Sequence, residues 1–134
     1  MEQQSAPAPT PSWFRKKGPF GAMIDMNDLG YPQVEIRDPP GAKYFELAQV
    51  QEKHSCLTVH GMAAEFEVYV VGVDRSPFVD PYGDGKVTKD PGPIPDPGSK
   101  LLEWKSWVAS TPSRVLLRLI NGRNQLNSSV DQGN

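Results

Sequence analysis

The chain has 134 residues, of which 14 are Pro and 12 are Gly, so backbone punctuation takes about 19% of positions against roughly 12% in average proteins. Ile, Leu, Val and Phe make up about 22%, just above the level of about 20% below which chains tend to stay disordered. With 14 Lys and Arg against 16 Asp and Glu, the formal charge is −2, which argues against wrapping duplex DNA through a dense positive surface.

The same composition excludes a coiled coil, an α-bundle, a collagen-like repeat and a membrane-spanning chain. One compact, loop-rich domain is the expectation for this length. The single cysteine, Cys56, can form no intramolecular disulfide and by itself no structural zinc site. The opening residues MEQQSAPAPTP lack a basic stretch followed by an apolar run, so no classical secretory signal is expected. The expected setting is the cytoplasm or a virion.

Residues 1–12 read as a disordered arm, because Pro7, Pro9 and Pro11 alternate with small residues that offer no burial. Trp13 to Gly21 differs: three aromatics, Trp13, Phe14 and Phe20, surround Arg15, Lys16 and Lys17. Gly18 and Pro19 oppose a regular helix there. Val34 to Ile36 reads as a brief strand ended by Asp38-Pro39-Pro40-Gly41. Lys43 to Val50 fits neither period well, and strand is favoured.

The strand pattern is clearest between residues 56 and 73, within a stretch 41–73 that holds no proline. Leu57 and Val59 alternate with polar neighbours, Gly61 breaks the run, and Phe66, Val68 and Val70 then share one face while Glu65 and Glu67 share the other. An antiparallel hairpin around Gly61-Met62 is the expectation. Residues 74–98 hold six prolines and read as a long stiff loop suited to lying along another surface. A helix is expected from Asp96-Pro97 to about Ala109. Val115 to Ile120 fits helix and strand equally, with Asn121-Gly122 as its stop. Residues 123–134 read as a polar flexible tail, which leaves one domain over 13–122.

Motif chemistry is sparse. His54, Cys56 and His60 share parity on a strand, but six strand residues would hold the two imidazoles ~20 Å apart, too far for shared zinc ligation. Asp80 to Thr88 resembles a calcium loop with Asp84 and Gly85 in register, yet Tyr82 and Pro91 stand where oxygen ligands are needed. No phosphate-binding glycine loop, nucleophile elbow or zinc-protease motif occurs. Glu65 and Glu67 read as a solvated pair with no acid–base role.

The expected fold class is therefore α+β: a small, mainly antiparallel sheet with one or two C-terminal helices, an extended N-terminal arm and a long Pro/Gly-rich loop. The expected function is non-catalytic, a structural or adaptor subunit that joins copies of itself or a larger complex, such as a virion or phage component. No cofactor, metal or membrane partner is expected. The expected contacts are Trp13, Phe14, Arg15, Lys16, Lys17 and Phe20 from the arm, with Phe78, Tyr82 and Ile94 from the loop. Aromatic anchors rimmed by cations suit a protein partner. The alternative is a single-stranded nucleic-acid module with the sheet as platform and residues 13–20 as the basic, aromatic contact.

Overall fold

The computed structural model describes residues 10–82 and 85–131; residues 1–9 of the arm expected over 1–12, Asp84 of the calcium-like loop and the last residues of the expected tail lie outside them. Four short strands, β1 (Phe14–Lys17), β2 (Gly21–Ile24), β3 (Gln33–Arg37) and β4 (Val70–Asp74), form one sheet in that order with every pair antiparallel. Alternation along the strands sorts the side chains. Phe14, Ala22, Ile24, Val34, Ile36 and Val70 are buried on one face, while the register aligns Arg15, Met23 and Glu35 across the other. This is the antiparallel sheet with one wet side that such patterning calls for.

Four helices accompany the sheet: α1 (Gly41–Lys53), α2 (Val59–Tyr69), α3 (Leu101–Ser110) and α4 (Ser113–Asp131). The chain is thus α+β, with α1 and α2 inserted between β3 and β4. On α4, Val115, Leu119 and Leu126 form a buried stripe widened by Leu116 and Ile120, the spacing of an amphipathic helix. Phe66 of α2 meets Trp104 and Trp107 of α3, with ring centroids 6.2 and 5.9 Å away, in the tilted and edge-on arrangements aromatic rings favour.

Several local expectations are corrected. Lys43–Val50 is helix, not strand: only Leu47 of α1 is buried, so no apolar stripe marks its period. The expected hairpin around Gly61 is a helix start. Thr58 caps α2 by accepting from the Gly61 N–H at 3.1 Å, and every residue from Gly61 to Phe66 is buried. Six consecutive buried residues show no 3.6-residue pattern, and the alternation at Val68–Val73 belongs to the last turn of α2 and to β4. Glu65, placed on a wet strand face, is 2% exposed.

At the C-terminal side, α3 does not start at Asp96-Pro97. Gly98 turns the chain with φ +88°, a conformation that L-residues avoid, and the helix opens three residues later. Asn121-Gly122 does not end α4 either. A Cβ on Gly122 would overlap Ile24 Cδ1, so this glycine lets the helix lie close on β2. The polar tail expected from Arg123 is helix to Asp131, with Leu126 fully buried.

The proline-rich loop lies on its own domain. The Gly92 N–H donates to the Gly30 carbonyl at 2.8 Å, Arg75 Nη2 donates to the Ile94 carbonyl at 2.9 Å, and Trp107 Nε1 donates to the Pro93 carbonyl. Ile94 is buried in the core. Before this strap, two-residue strands β5 (Phe78–Val79) and β6 (Val87–Thr88) pair as a small hairpin.

One ion pair ties the helices together. Arg123 Nε donates to Glu65 Oε2 at 2.6 Å, and Gln51 Nε2 donates to Glu65 Oε1 at 3.1 Å and to the Gly61 carbonyl at 3.2 Å. Removing one partner of a buried pair strands the other charge, so Arg123→Ala is expected to lower unfolding stability by about 3–5 kcal/mol in urea titrations at pH 7. A Cβ on Gly61 would overlap the backbone carbonyl oxygens of Ser55 and His54. By the same measurement Gly61→Ala should cost about 3 kcal/mol, against about 1 kcal/mol for the cap variant Thr58→Ala.

Candidate functional site

The most elaborate surface feature is built around Trp13. The Phe14 N–H donates to the Pro11 carbonyl at 3.0 Å, and the Trp13 carbonyl accepts from the Asp25 N–H at 2.8 Å, so the indole is carried on a turn that continues the β1–β2 pairing. The Arg118 guanidinium of α4 stands 5.3 Å from the centre of the Trp13 ring, within cation–π range.

Arg118 is itself fixed from below. Its Nη1 donates to Asp28 Oδ1 at 2.9 Å and to the Asp25 carbonyl at 2.8 Å, and its Nη2 donates to Asp28 Oδ2 at 2.9 Å. This is the two-pronged match between guanidinium and carboxylate that gives arginine its directional strength. The hydrogen bonds from Arg118 hold the Asp28 carboxyl below its ordinary value of 3.8, outweighing the opposing effect of burial, and the positive charge adds to them.

Opposite this group stands Tyr82, 81% exposed, in the turn of the β5–β6 hairpin. The Tyr82 N–H donates to Asp80 Oδ1 at 2.9 Å, a local side-chain turn of the kind aspartate favours. Trp13, Asp28 and Arg118 face Tyr82 across two adjoining hollows of about 340 and 550 Å³. Val79 and Pro81 add to the hairpin wall, and Arg114 and Leu117 to the α4 wall. The cleft offers aromatic and aliphatic contact with arginine at its rim.

The sequence-expected contacts are distributed unevenly. Trp13 and Tyr82 meet at this cleft, although 68 residues of chain separate them. Arg15, Lys16 and Lys17 lie exposed on edge strand β1, with Lys17 Nζ 3.4 Å from Glu35 Oε1 across the sheet. Phe20 sits at the opposite end of β1, in the β1–β2 turn, and lines a separate groove of about 860 Å³ with Arg37, Lys43 and Pro97. Phe78 is half-buried in β5, while Phe14 and Ile94 are buried in the chain's own core. The sequence pattern does not single out Asp28, Arg114 or Arg118. Nothing local signals them, because the Asp28–Arg118 pair joins residues 90 apart in sequence.

His54 and His60 do not lie apart on a strand. The turn between α1 and α2 folds back and stacks their rings, with centroids 4.0 Å apart and planes inclined by 25°. Near-parallel rings aim their nitrogens along parallel planes rather than at one point. Among the described residues no group of three His, Cys, Asp or Glu side chains is placed to hold a metal ion. Also among the described residues, no helix is long and apolar enough to cross a membrane.

No protein-family model, curated protein or solved structure matches this chain.

The Asp28–Arg118 pair has a defined pH signature. A carboxyl whose folded-state pKa is depressed adds stability above its unfolded value, near 3.8, and that contribution is lost as pH falls through the folded value. Asp28→Asn should therefore be less stable than the parent in urea at pH 7, and the difference should shrink towards zero as the pH is taken well below 3.8.

Proposed function

We propose that this protein is a non-catalytic structural or adaptor subunit that assembles, with copies of itself or with a larger protein complex, through the surface formed by the Trp13 cleft, the β5–β6 hairpin and the open edge of β1. The observation that carries this reading is the hairpin. Its two-residue strands leave Val79 58%, Tyr82 81% and Val87 51% exposed. Apolar and aromatic side chains grouped on one surface element mark interaction surfaces more often than scattered exposure does, and a hairpin this short gains little stability from itself.

The neighbouring features suit the same role. Tyr82 and Trp13 are the large amphipathic side chains that anchor protein interfaces, and Arg114 and Arg118 stand where interface arginines stand, beside the aromatic centre. Among the described residues, strand β1 is an edge whose outer backbone groups no other strand pairs. Its Arg15, Lys16 and Lys17 are the cations that keep such an edge from indiscriminate pairing while leaving it open to a complementary partner. The strap over residues 91–97 is occupied by its own domain, so the attachment surface is narrower than the whole loop. Arg118 and Asp28 hold one another, which suits rigid support of the cleft better than proton transfer.

A second reading, single-stranded nucleic-acid binding, draws on three consecutive exposed cations in β1 and the exposed Phe20 beyond them. The wet sheet face weakens it: Arg15, Met23 and Glu35 align across that face, none of them an aromatic ring on which a base could stack.

Crosslinking mass spectrometry in cells that natively produce the protein tests the assembly reading. Lys16, Lys17 and Lys86 should form links to another chain, and Tyr82→Ser should reduce them several-fold without changing the fold's circular dichroism. Inter-chain links confined to lysines on α1 and α3 would move the interface elsewhere, and none from any lysine would end the assembly reading. Fluorescence anisotropy with a labelled oligonucleotide at low salt separates the second reading. Binding lost in Lys16→Ala/Lys17→Ala would favour nucleic acid instead.

A further inference from the structure

The joint between α1 and α2 carries a feature that assembly does not use. His54 is the residue on which α1 ends, its N–H donating to the Val50 carbonyl at 2.9 Å. His60 lies in the first turn of α2, two residues after the Thr58 cap. The connection between them is tightly made. The Thr58 hydroxyl and N–H donate to the Ser55 carbonyl at 2.7 and 2.9 Å, and the Leu57 N–H donates to Ser55 Oγ at 3.2 Å. The turn is what sets the two imidazoles face to face at 4.0 Å.

We propose that the stacked His54–His60 pair is an acid-sensitive latch: it closes α1 onto α2 while the rings are neutral, and releases α1 when both take up protons. Neutral imidazoles stack as ordinary aromatic rings, and a single imidazolium still stacks favourably on a neutral ring. A second proton places two like charges in contact, which close stacking cannot tolerate.

The surroundings favour the neutral pair. From α3, Lys105 brings a positive charge to His60, and burial and His54 act in the same direction, so the His60 pKa lies below its ordinary 6.5, with desolvation the leading cause. Its place at a helix N-terminus, where backbone dipoles disfavour a cation, adds to this. The hollow beside the rings is lined from α1 by Glu46, Glu52 and Lys53. Two carboxylates and one further cation thus stand around the pair.

Helix α1 is the element suited to respond. Leu47 is its one buried residue, packed with Ala64 and Tyr69 in a cluster apart from the main core. Besides the latch, its side-chain hydrogen bonds to α2 run from Gln51 to Glu65 and to the Gly61 carbonyl. Burial pushes the Tyr69 phenol up to about 12, so it stays neutral throughout the acid range. Release of α1 would uncover Leu47, Ala64 and Tyr69 as a new apolar patch while the sheet, α3 and α4 stay packed.

The sign follows from linkage. A histidine whose closed-state pKa is depressed binds fewer protons closed than open, so closure is fully favoured above about pH 6.5 and weakens as pH falls through the open-state value towards the closed-state one.

Two measurements on the full chain test this. The two histidines are the only ones present, so their ring resonances can be assigned by single substitutions and followed by NMR from pH 8 to 4.5. His60 should titrate below 6.5, and His54→Asn should move it upward. Amide hydrogen exchange, corrected for intrinsic rates, should show residues 43–52 opening more at pH 5 than at pH 7.5, by up to about tenfold for each unit of displacement, with α3 unchanged. In His54→Asn that acid response should shrink. Independent titration of both rings near 6.5, equal α1 protection at the two pH values, or an acid response that persists undiminished in His54→Asn would each overturn the latch.

Discussion

The arrangement of the helices depends on one buried carboxylate. Glu65 lies 2% exposed on α2, and a carboxylate removed from water costs several kcal/mol unless charge and hydrogen bonds replace the lost solvent. Arg123 supplies the charge from α4, and Gln51 supplies a donor from α1. Both requirements act through distance and direction, so the consecutive helices α1 and α2 and the distant α4 must meet at one point. Apolar packing then surrounds that point, with α4 drawn close to β2 by the absence of a side chain at Gly122. Hydrophobic burial provides most of the driving force, but it is non-directional, and the polar junction selects one packing among many that would bury similar area.

A second consequence concerns what is left for a partner. Proline stiffens the segment from Pro91 to Pro97, and stiffness lowers the entropy cost of laying it on a surface. That argument holds whichever surface is used. Here Trp107, Arg75 and Gly30 offer donors and an acceptor to its backbone, and Ile94 enters the core, so the domain binds its own strap. The β5–β6 hairpin just before it leaves Val79, Tyr82 and Val87 exposed, and Val79 and Tyr82 line the Trp13 cleft. The same division runs through the aromatic and basic segment. Phe14 turns inward as core, Trp13 is braced by Arg118, and Arg15 to Lys17 remain at the open edge.

How far the fold was legible varies with the signal each element emits. Strand β3 shows clean alternation because one of its faces is buried and the other wet. The buried stripe of α4 shows the helical period at Val115, Leu119 and Ile120, although its first turns alone also admit a strand. Helix α1 buries one residue and α2 buries six in a row, and neither condition produces a periodic stripe. The short alternation from Phe66 to Val70 spans the end of a helix and the start of a strand. Gly61 and Gly122 read as breaks because glycine favours turns, whereas both are placed for close approach to a carbonyl backbone and to Ile24. Of the cleft, Trp13 and Tyr82 were legible as large side chains in segments poor in regular structure. Asp28 and Arg118 were not, since an ion pair across 90 residues leaves no local trace.

Composition and local pattern by themselves determined that this chain makes a small α+β domain with a mainly antiparallel sheet, that cysteine cannot staple it, and that its prolines gather in two segments. Those properties follow from side-chain period, backbone restriction and residue counts, which act over a few positions at a time. Only the tertiary structure decided which glutamate is buried, that the strap lies on its own core, that Trp13 meets Tyr82, and that His54 stacks on His60. Each of these is a contact between distant segments or across a turn whose direction no single residue specifies. Its energy exists only once the chain has closed around it.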